Sequence, residues 1–84
     1  IPTVEQSREL KVYPNPTYGS VTVQHESTLI ERVTVTDLYG RTVAIIPIND
    51  YQGNLNLSGL PAGVYLLNIE FENKDIVTTK LLRY

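Results

Sequence analysis

Seven short runs in which apolar and polar residues alternate divide this chain of 84 residues. A period of two is typical of strands with one buried face, and no segment keeps a helical period beyond about two turns. Turn signals separate the runs at the spacing of about 8–12 residues that β-sandwiches show. The sequence therefore predicts an all-β fold, an antiparallel β-sandwich of about seven strands. The predicted strands are 9–13, 20–25, 31–38, 41–46, 54–57, 64–71 and 76–84.

The connection between the first two predicted strands reads Tyr-Pro-Asn-Pro-Thr-Tyr-Gly, from Tyr13 to Gly19. Pro14 and Pro16 each remove a backbone donor and bias the preceding residue to extended geometry, so the segment fits neither a helix interior nor a central strand. We predict a rigid surface loop. A rigid loop suits recognition, because little conformational entropy is lost when it docks.

Four further connections follow from turn residues. They are a tight hairpin turn at 37–40, a polar loop at 49–53, a stiff loop at 58–63 and a turn at 73–75. In the first of these, Asp37 can bond its own backbone and Gly40 can adopt a positive φ.

Composition excludes several classes of function. The formal net charge of −2 leaves no basic surplus for nucleic acid, and the scattered Lys and Arg residues form no polybasic lipid patch. The longest apolar run, 43–48, is too short to span a bilayer. No cysteine is present, which predicts either a cytosolic chain or an exported domain that is stable on its core alone. Because the chain begins at Ile1 rather than Met, we expect a fragment, whether natural or expressed as such, or a processed product.

No pattern for catalysis or for metal binding is found. The lone histidine, His25, has no second His or Cys with which to form a zinc site, and we expect an ordinary strand-end residue. The serines lack the glycines of a nucleophile elbow. Asp37, Asp50 and Asp75 lie in predicted turns without the spacing of a calcium loop, so we expect them to cap turns. The sequence predicts neither an enzyme nor a cofactor.

Tyrosines beside loops give an alternative function. Tyr13, Tyr18, Tyr39 and Tyr51 could stack on sugars if they are exposed, which would make the chain a carbohydrate-binding or adhesive module. The same rings could instead cover the sheet edges at the rim of the core. A purely structural spacer is the third interpretation.

Four segments, here called the four landmarks, carry a resemblance to a known family. They are Lys11–Gly19, Val35–Val43, Leu57–Leu66 and Lys80–Tyr84. In this order they resemble the type A C-terminal sorting domain of the type IX (Por) secretion system of Bacteroidetes. That family shows a YPNP-x-x-G opening, a D-x-x-G-[KR] hairpin, an L-x-x-G-x-Y segment leading into a strand, and a last strand that bears lysine. The resemblance covers about residues 10–84.

The resemblance implies an Ig-like sandwich that serves as a transport address. Residues 1–9 would be the linker from a preceding cargo domain, and 10–84 the sorting domain. The domain would direct the cargo from the periplasm across the outer membrane, through the translocon and an outer-membrane shuttle protein. A sortase-type cysteine peptidase at the surface would then usually remove the domain and couple the cargo to lipopolysaccharide, leaving it at the cell surface or released.

The resemblance also implies a set of signal residues. The glycines among them could equally be required by the fold. Lys80–Tyr84 is expected at an exposed sheet edge, where strand addition by a partner is natural and where two isolated copies could pair as a homodimer. The candidate signal residues are Tyr13, Pro14, Asn15, Pro16, Gly19, Gly40, Gly63, Tyr65, Lys80, Leu81, Leu82, Arg83 and Tyr84.

Overall fold

The structure, a computed structural model, describes residues 10–84, and the predicted linker 1–9 lies outside the described residues. Seven strands form between residues 10 and 84, as predicted, and this part of the chain contains no helix, so none that could cross a membrane. The strands are β1 (Leu10–Tyr13), β2 (Ser20–His25), β3 (Ile30–Asp37), β4 (Thr42–Asp50), β5 (Gln52–Asn56), β6 (Gly63–Phe71) and β7 (Ile76–Arg83).

The strands form two sheets that pack as a sandwich. The first has the order β1-β2-β5 and the second the order β4-β3-β6-β7. Every strand pairing within the sheets is antiparallel. The all-β fold is thereby confirmed, and the arrangement is consistent with an Ig-like sandwich.

Alternate residues of the strands form the core between the sheets. In the second sheet, Val33 lies opposite Ile69 and Val35 opposite Leu67, and all four side chains are fully buried. Each such side chain contributes about 1.5–3 kcal/mol by leaving water. The remaining buried apolar residues are Val21, Val23, Ile30, Leu55, Leu57, Tyr65, Phe71 and Leu81.

The prediction of a polar loop at 49–53 is wrong. β4 continues to Asp50 and β5 begins at Gln52, so Tyr51 alone separates the two strands. β4 tolerates Pro47 because it is the edge strand of its sheet, where a missing donor breaks no ladder. Gly53 belongs to β5 and lies against Ile48, whose side chain would have to shift for a Cβ that would stand 2.6 Å from its Cδ1.

Candidate functional site

The landmarks meet at one end of the sandwich. Asp37 at the end of β3 pairs with Tyr65, which places the second landmark beside the third. Gly63 at the start of β6 pairs with Arg83, which places the third beside the fourth. The β1–β2 loop, the first landmark, bonds to the end of β7 at the same place. We call this end the landmark pole.

The first landmark is hydrogen-bonded along the outer edge of β7. Asn15 Nδ2 donates to the Lys80 carbonyl (2.8 Å), and Asn15 Oδ1 accepts from the Leu82 N–H (3.2 Å). The Thr17 N–H donates to the Leu82 carbonyl and the Tyr84 N–H to the Thr17 carbonyl, each at 2.9 Å. We call these four hydrogen bonds the clasp.

The clasp changes the expectation for Lys80–Tyr84. β7 is an edge strand, as predicted. Its outward backbone groups at Lys80, Leu82 and Tyr84 are nevertheless occupied by the first landmark, so this stretch of edge is not free. A partner strand, or the β7 of a second copy, would have to displace the clasp before it could pair here.

The first landmark is not wholly a surface loop, contrary to the prediction. Thr17 is 1% exposed, and its Oγ1 donates to the Ser20 carbonyl (2.7 Å) while accepting from the Gly19 N–H (3.0 Å). Gly19 has a φ of 148° and lies against Ser58, whose Cα would be 3.2 Å from an added Cβ. No sequence signal predicts the burial of Thr17, because this residue lies outside the alternating patterns of both flanking strands.

Arg83 is a structural cation. Its Nε donates to the Leu57 carbonyl at 3.0 Å, one terminal nitrogen donates to the Ser58 carbonyl at 3.1 Å, and the other donates to the Tyr84 carbonyl. The fork of guanidinium donors thus joins the end of β7 to the β5–β6 loop. Each of its three nitrogens thus donates a hydrogen bond inside the domain.

Several other predicted signal residues also serve the fold. Leu81 is fully buried, and Tyr65 is 6% exposed with its hydroxyl donating to the Pro61 carbonyl. Gly40 has a φ of 84° in the hairpin turn, where a side chain would be strained. These residues hold the landmark pole together from within.

The hairpin turn is organised by Asp37. One carboxylate oxygen accepts from the N–H groups of Tyr39 (2.9 Å) and Arg41 (3.0 Å), and the other accepts from Arg41 Nε (2.7 Å). Desolvation acts to raise the pKa of Asp37, but the hydrogen bonds from Arg41 and Tyr39 outweigh it and lower the pKa below its ordinary value of 3.8. The carboxylate that was predicted to cap this turn does so.

We expect the carboxyl carbon of Asp37 to titrate with a midpoint below 3.8 in an NMR pH series. Because the folded-state pKa is lowered, the contribution of Asp37 to stability is complete above its unfolded pKa of about 3.9 and is lost as the pH falls through the folded value. Arg41→Ala should move the midpoint upward, since the guanidinium bond disappears while the two backbone donors remain. An unchanged midpoint in Arg41→Ala would contradict this account.

At the opposite end of the sandwich, polar side chains bond to the backbone of the turns. His25 is buried, accepts at Nδ1 from the N–H groups of Ser27 (3.2 Å) and Thr28 (2.9 Å), and lies edge-on to Phe71. Asp50 Oδ1 accepts from the next backbone N–H, as expected of a turn cap. At the β6–β7 turn, by contrast, the cap is Asn73, which accepts from the Asp75 N–H. Within residues 10–84 no group of three His, Cys, Asp or Glu side chains could hold a metal ion.

The loop tyrosines do not form one platform. Tyr18 and Tyr84 lie together at the landmark pole, 83% and 53% exposed, with ring centroids 4.9 Å apart. Tyr39, in the hairpin turn, is also exposed there. Tyr51 lies at the opposite end, where its carbonyl accepts from the His25 N–H.

Comparison with known proteins identifies the family. The family model described as "Secretion system C-terminal sorting domain" matches residues 11–83. The chain is 25% identical over 79 residues to the ulvan lyase NLR42 of Nonlabens ulvanivorans, a match that covers 93% of this chain and 15% of the lyase.

A solved structure supports the fold. PorZ, a surface component of the type IX secretion system of Porphyromonas gingivalis, superposes with a TM-score of 0.72 at 20% identity over 95% of this chain. The match spans 12% of PorZ, so this chain corresponds to a small part of both relatives. The resemblance inferred from the landmarks is confirmed, and the chain belongs to the family of C-terminal sorting domains of the type IX secretion system.

Proposed function

We propose that this domain is the secretion signal of an attached cargo protein, and that the signal is read at the landmark pole. The observation that carries the proposal is the convergence of all four landmarks at one end, with the first clasped to the fourth. A signal made of distant segments is presented only by a folded domain. The partner would therefore recognise the folded sandwich rather than a linear tail.

The arrangement also suits a domain appended to cargo. Leu10 pairs with His25, so the chain enters the sandwich at the end opposite the landmark pole. The described chain therefore joins the segment that leads to the cargo at the end away from the signal. The small share of each relative that the chain matches fits this role.

We further propose the path that the resemblance implies. The translocon and an outer-membrane shuttle protein recognise the domain once it is in the periplasm. They carry the cargo across the outer membrane to the cell surface or the medium. A sortase-type peptidase then cuts within or just before 1–9 and joins the cargo to lipopolysaccharide. The domain is the substrate of these steps and supplies no catalytic residue.

The test is export of a reporter. Residues 1–84 fused behind a periplasmic reporter should carry it to the surface of a type IX-competent cell, and a matched strain without the translocon should retain it. Deleting Lys80–Tyr84 should strand the reporter, but it also removes buried Leu81. A point variant, Tyr84→Ala, is therefore needed, with a loss of about tenfold expected if the ring is a contact. Retention of the intact fusion in the periplasm would overturn the proposal.

The exposed pair Tyr18 and Tyr84 favours carbohydrate binding as a second candidate. Two rings 4.9 Å apart could present an apolar face to a sugar. Binding on a glycan array that disappears in Tyr18→Ala and persists in Tyr51→Ala would support this function. No binding by the intact domain would exclude it.

A further inference from the structure

Charge is unevenly distributed along the sandwich. Counting side chains, the landmark pole carries three cations, Arg41, Lys80 and Arg83, and one anion, Asp37. The opposite half carries two cations and six anions, while Lys11 lies partway along β1. The charged residues of the opposite half are Arg32, Lys74, Glu26, Glu31, Asp50, Glu70, Glu72 and Asp75.

The cations of the opposite half are neutralised within the domain. Arg32 pairs with Glu31 at 3.0 Å and with Glu70 at 2.8 Å. Lys74 lies 3.6 Å from Glu31. The surplus charge of this half is therefore negative.

The landmark pole keeps cationic donors that face solvent, although the charge of Arg41 is already paired with that of Asp37 at 2.7 Å. Arg41 engages Asp37 through Nε, and its terminal nitrogens make no hydrogen bond to any residue between 10 and 84. Lys80 is exposed and has no ion pair with the same part of the chain. Two donors suited to carboxylates thus face solvent beside the clasp and the hairpin turn.

An open apolar groove of about 320 Å³ lies beside Arg41, between the hairpin turn and the β5–β6 loop. Leu38 and Tyr39 stand exposed on one side of it, at 64% and 87%. Apart from Tyr39 and Tyr65 the apolar lining is aliphatic, which offers little to a polar glycan and more to an apolar side chain of a partner. The groove is lined by Leu38, Tyr39, Val43, Leu60, Pro61 and Val64, among others.

We infer that the landmark pole docks on an acidic protein surface, with partner carboxylates at Arg41 and Lys80 and an apolar partner side chain in the groove. The inference rests on the proposed function and specifies the chemistry of the partner. During the encounter, charge complementarity would turn the landmark pole toward the partner and the acidic half away from it.

Charge reversal in the reporter fusion tests the inference. Lys80→Glu should lower export about tenfold or more, because like charges then face each other across the interface. Lys74→Glu changes the net charge equally at the opposite end and should export normally. Lys80→Arg keeps the positive charge, so its export should exceed that of Lys80→Glu, and thermal melts should show that all three variants fold.

The outcomes separate the inference from the proposed function. Equal export of Lys80→Glu and Lys74→Glu, whether normal or reduced, overturns the acidic partner while the intact fusion still supports a signal. Retention of the intact fusion overturns the signal itself.

The class of partner is tested by photocrosslinking. A benzoylphenylalanine that replaces Tyr39 in the exported fusion should capture a protein, and the crosslinked peptide should contain Asp or Glu beside an apolar residue. The same probe in place of Tyr51 is the matched control at the opposite end and should not capture that peptide. A lipopolysaccharide or glycan adduct at position 39 would overturn the inference.

Discussion

Leu81→Ala is expected to lower the free energy of unfolding by about 3 kcal/mol, and Leu82→Ala by less than about 1 kcal/mol. The two residues are neighbours in the fourth landmark. Leu81 is fully buried in the core, whereas Leu82 points to the outer face and is 39% exposed. The first substitution removes buried surface and leaves a cavity, while the second removes surface that water already reaches.

Chemical denaturation of both variants measures the difference. Ile76→Ala provides a matched control on the same strand, since Ile76 is 61% exposed and should behave like Leu82. Equal losses for Leu81→Ala and Leu82→Ala would contradict the assignment of Leu81 to the core.

This pair of variants matters for the signal because one landmark contains both buried residues that the fold requires and exposed residues that a partner can contact. If Leu81→Ala abolishes export, the loss of stability is enough to explain the result, which therefore does not identify Leu81 as a contact. A loss in Leu82→Ala without a change in stability would instead identify Leu82 as a contact. The same distinction separates Tyr65, which is buried, from Tyr84, which is exposed.

The sequence predicts the strands because the signal for a strand is local. A period of two in Val33 and Val35 depends only on which face is buried, and the turn at Asp37 depends on its own neighbours. The extent of β4 is not predicted in this way. Whether Pro47 ends a strand depends on whether a second strand needs its donor, and at the edge of a sheet none does.

The clasp is beyond local prediction for the same reason. Asn15 and Leu82 are 67 positions apart, and neither carries a pattern that indicates the other. The motif around Asn15 predicts a rigid loop, but only the packing of the two sheets brings that loop to β7. The resemblance identifies both segments as motifs of one family, and the structure shows that they are hydrogen-bonded to each other.

Asn15→Ala is expected to open the clasp and to expose the end of β7. The change removes two hydrogen bonds, to the Lys80 carbonyl and from the Leu82 N–H, at a cost of about 2 kcal/mol. Hydrogen exchange at the Leu82 amide should therefore accelerate about 30-fold if exchange proceeds through this opening. Asn15→Asp keeps the acceptor for the Leu82 N–H but loses the donor to the Lys80 carbonyl. Its exchange rate at Leu82 should therefore lie between those of the unchanged domain and of Asn15→Ala.

A matched control and a second measurement sharpen this test. Asn54 is an exposed asparagine whose Oδ1 accepts from Thr22 Oγ1 in the other sheet, so Asn54→Ala should leave exchange at Leu82 unchanged. Once the clasp opens, the freed backbone groups of β7 form an unpaired edge, and the domain should associate with itself in sedimentation velocity. Unchanged exchange at Leu82 in Asn15→Ala would show that Thr17 alone holds the edge, because its two backbone bonds to Leu82 and Tyr84 survive the substitution.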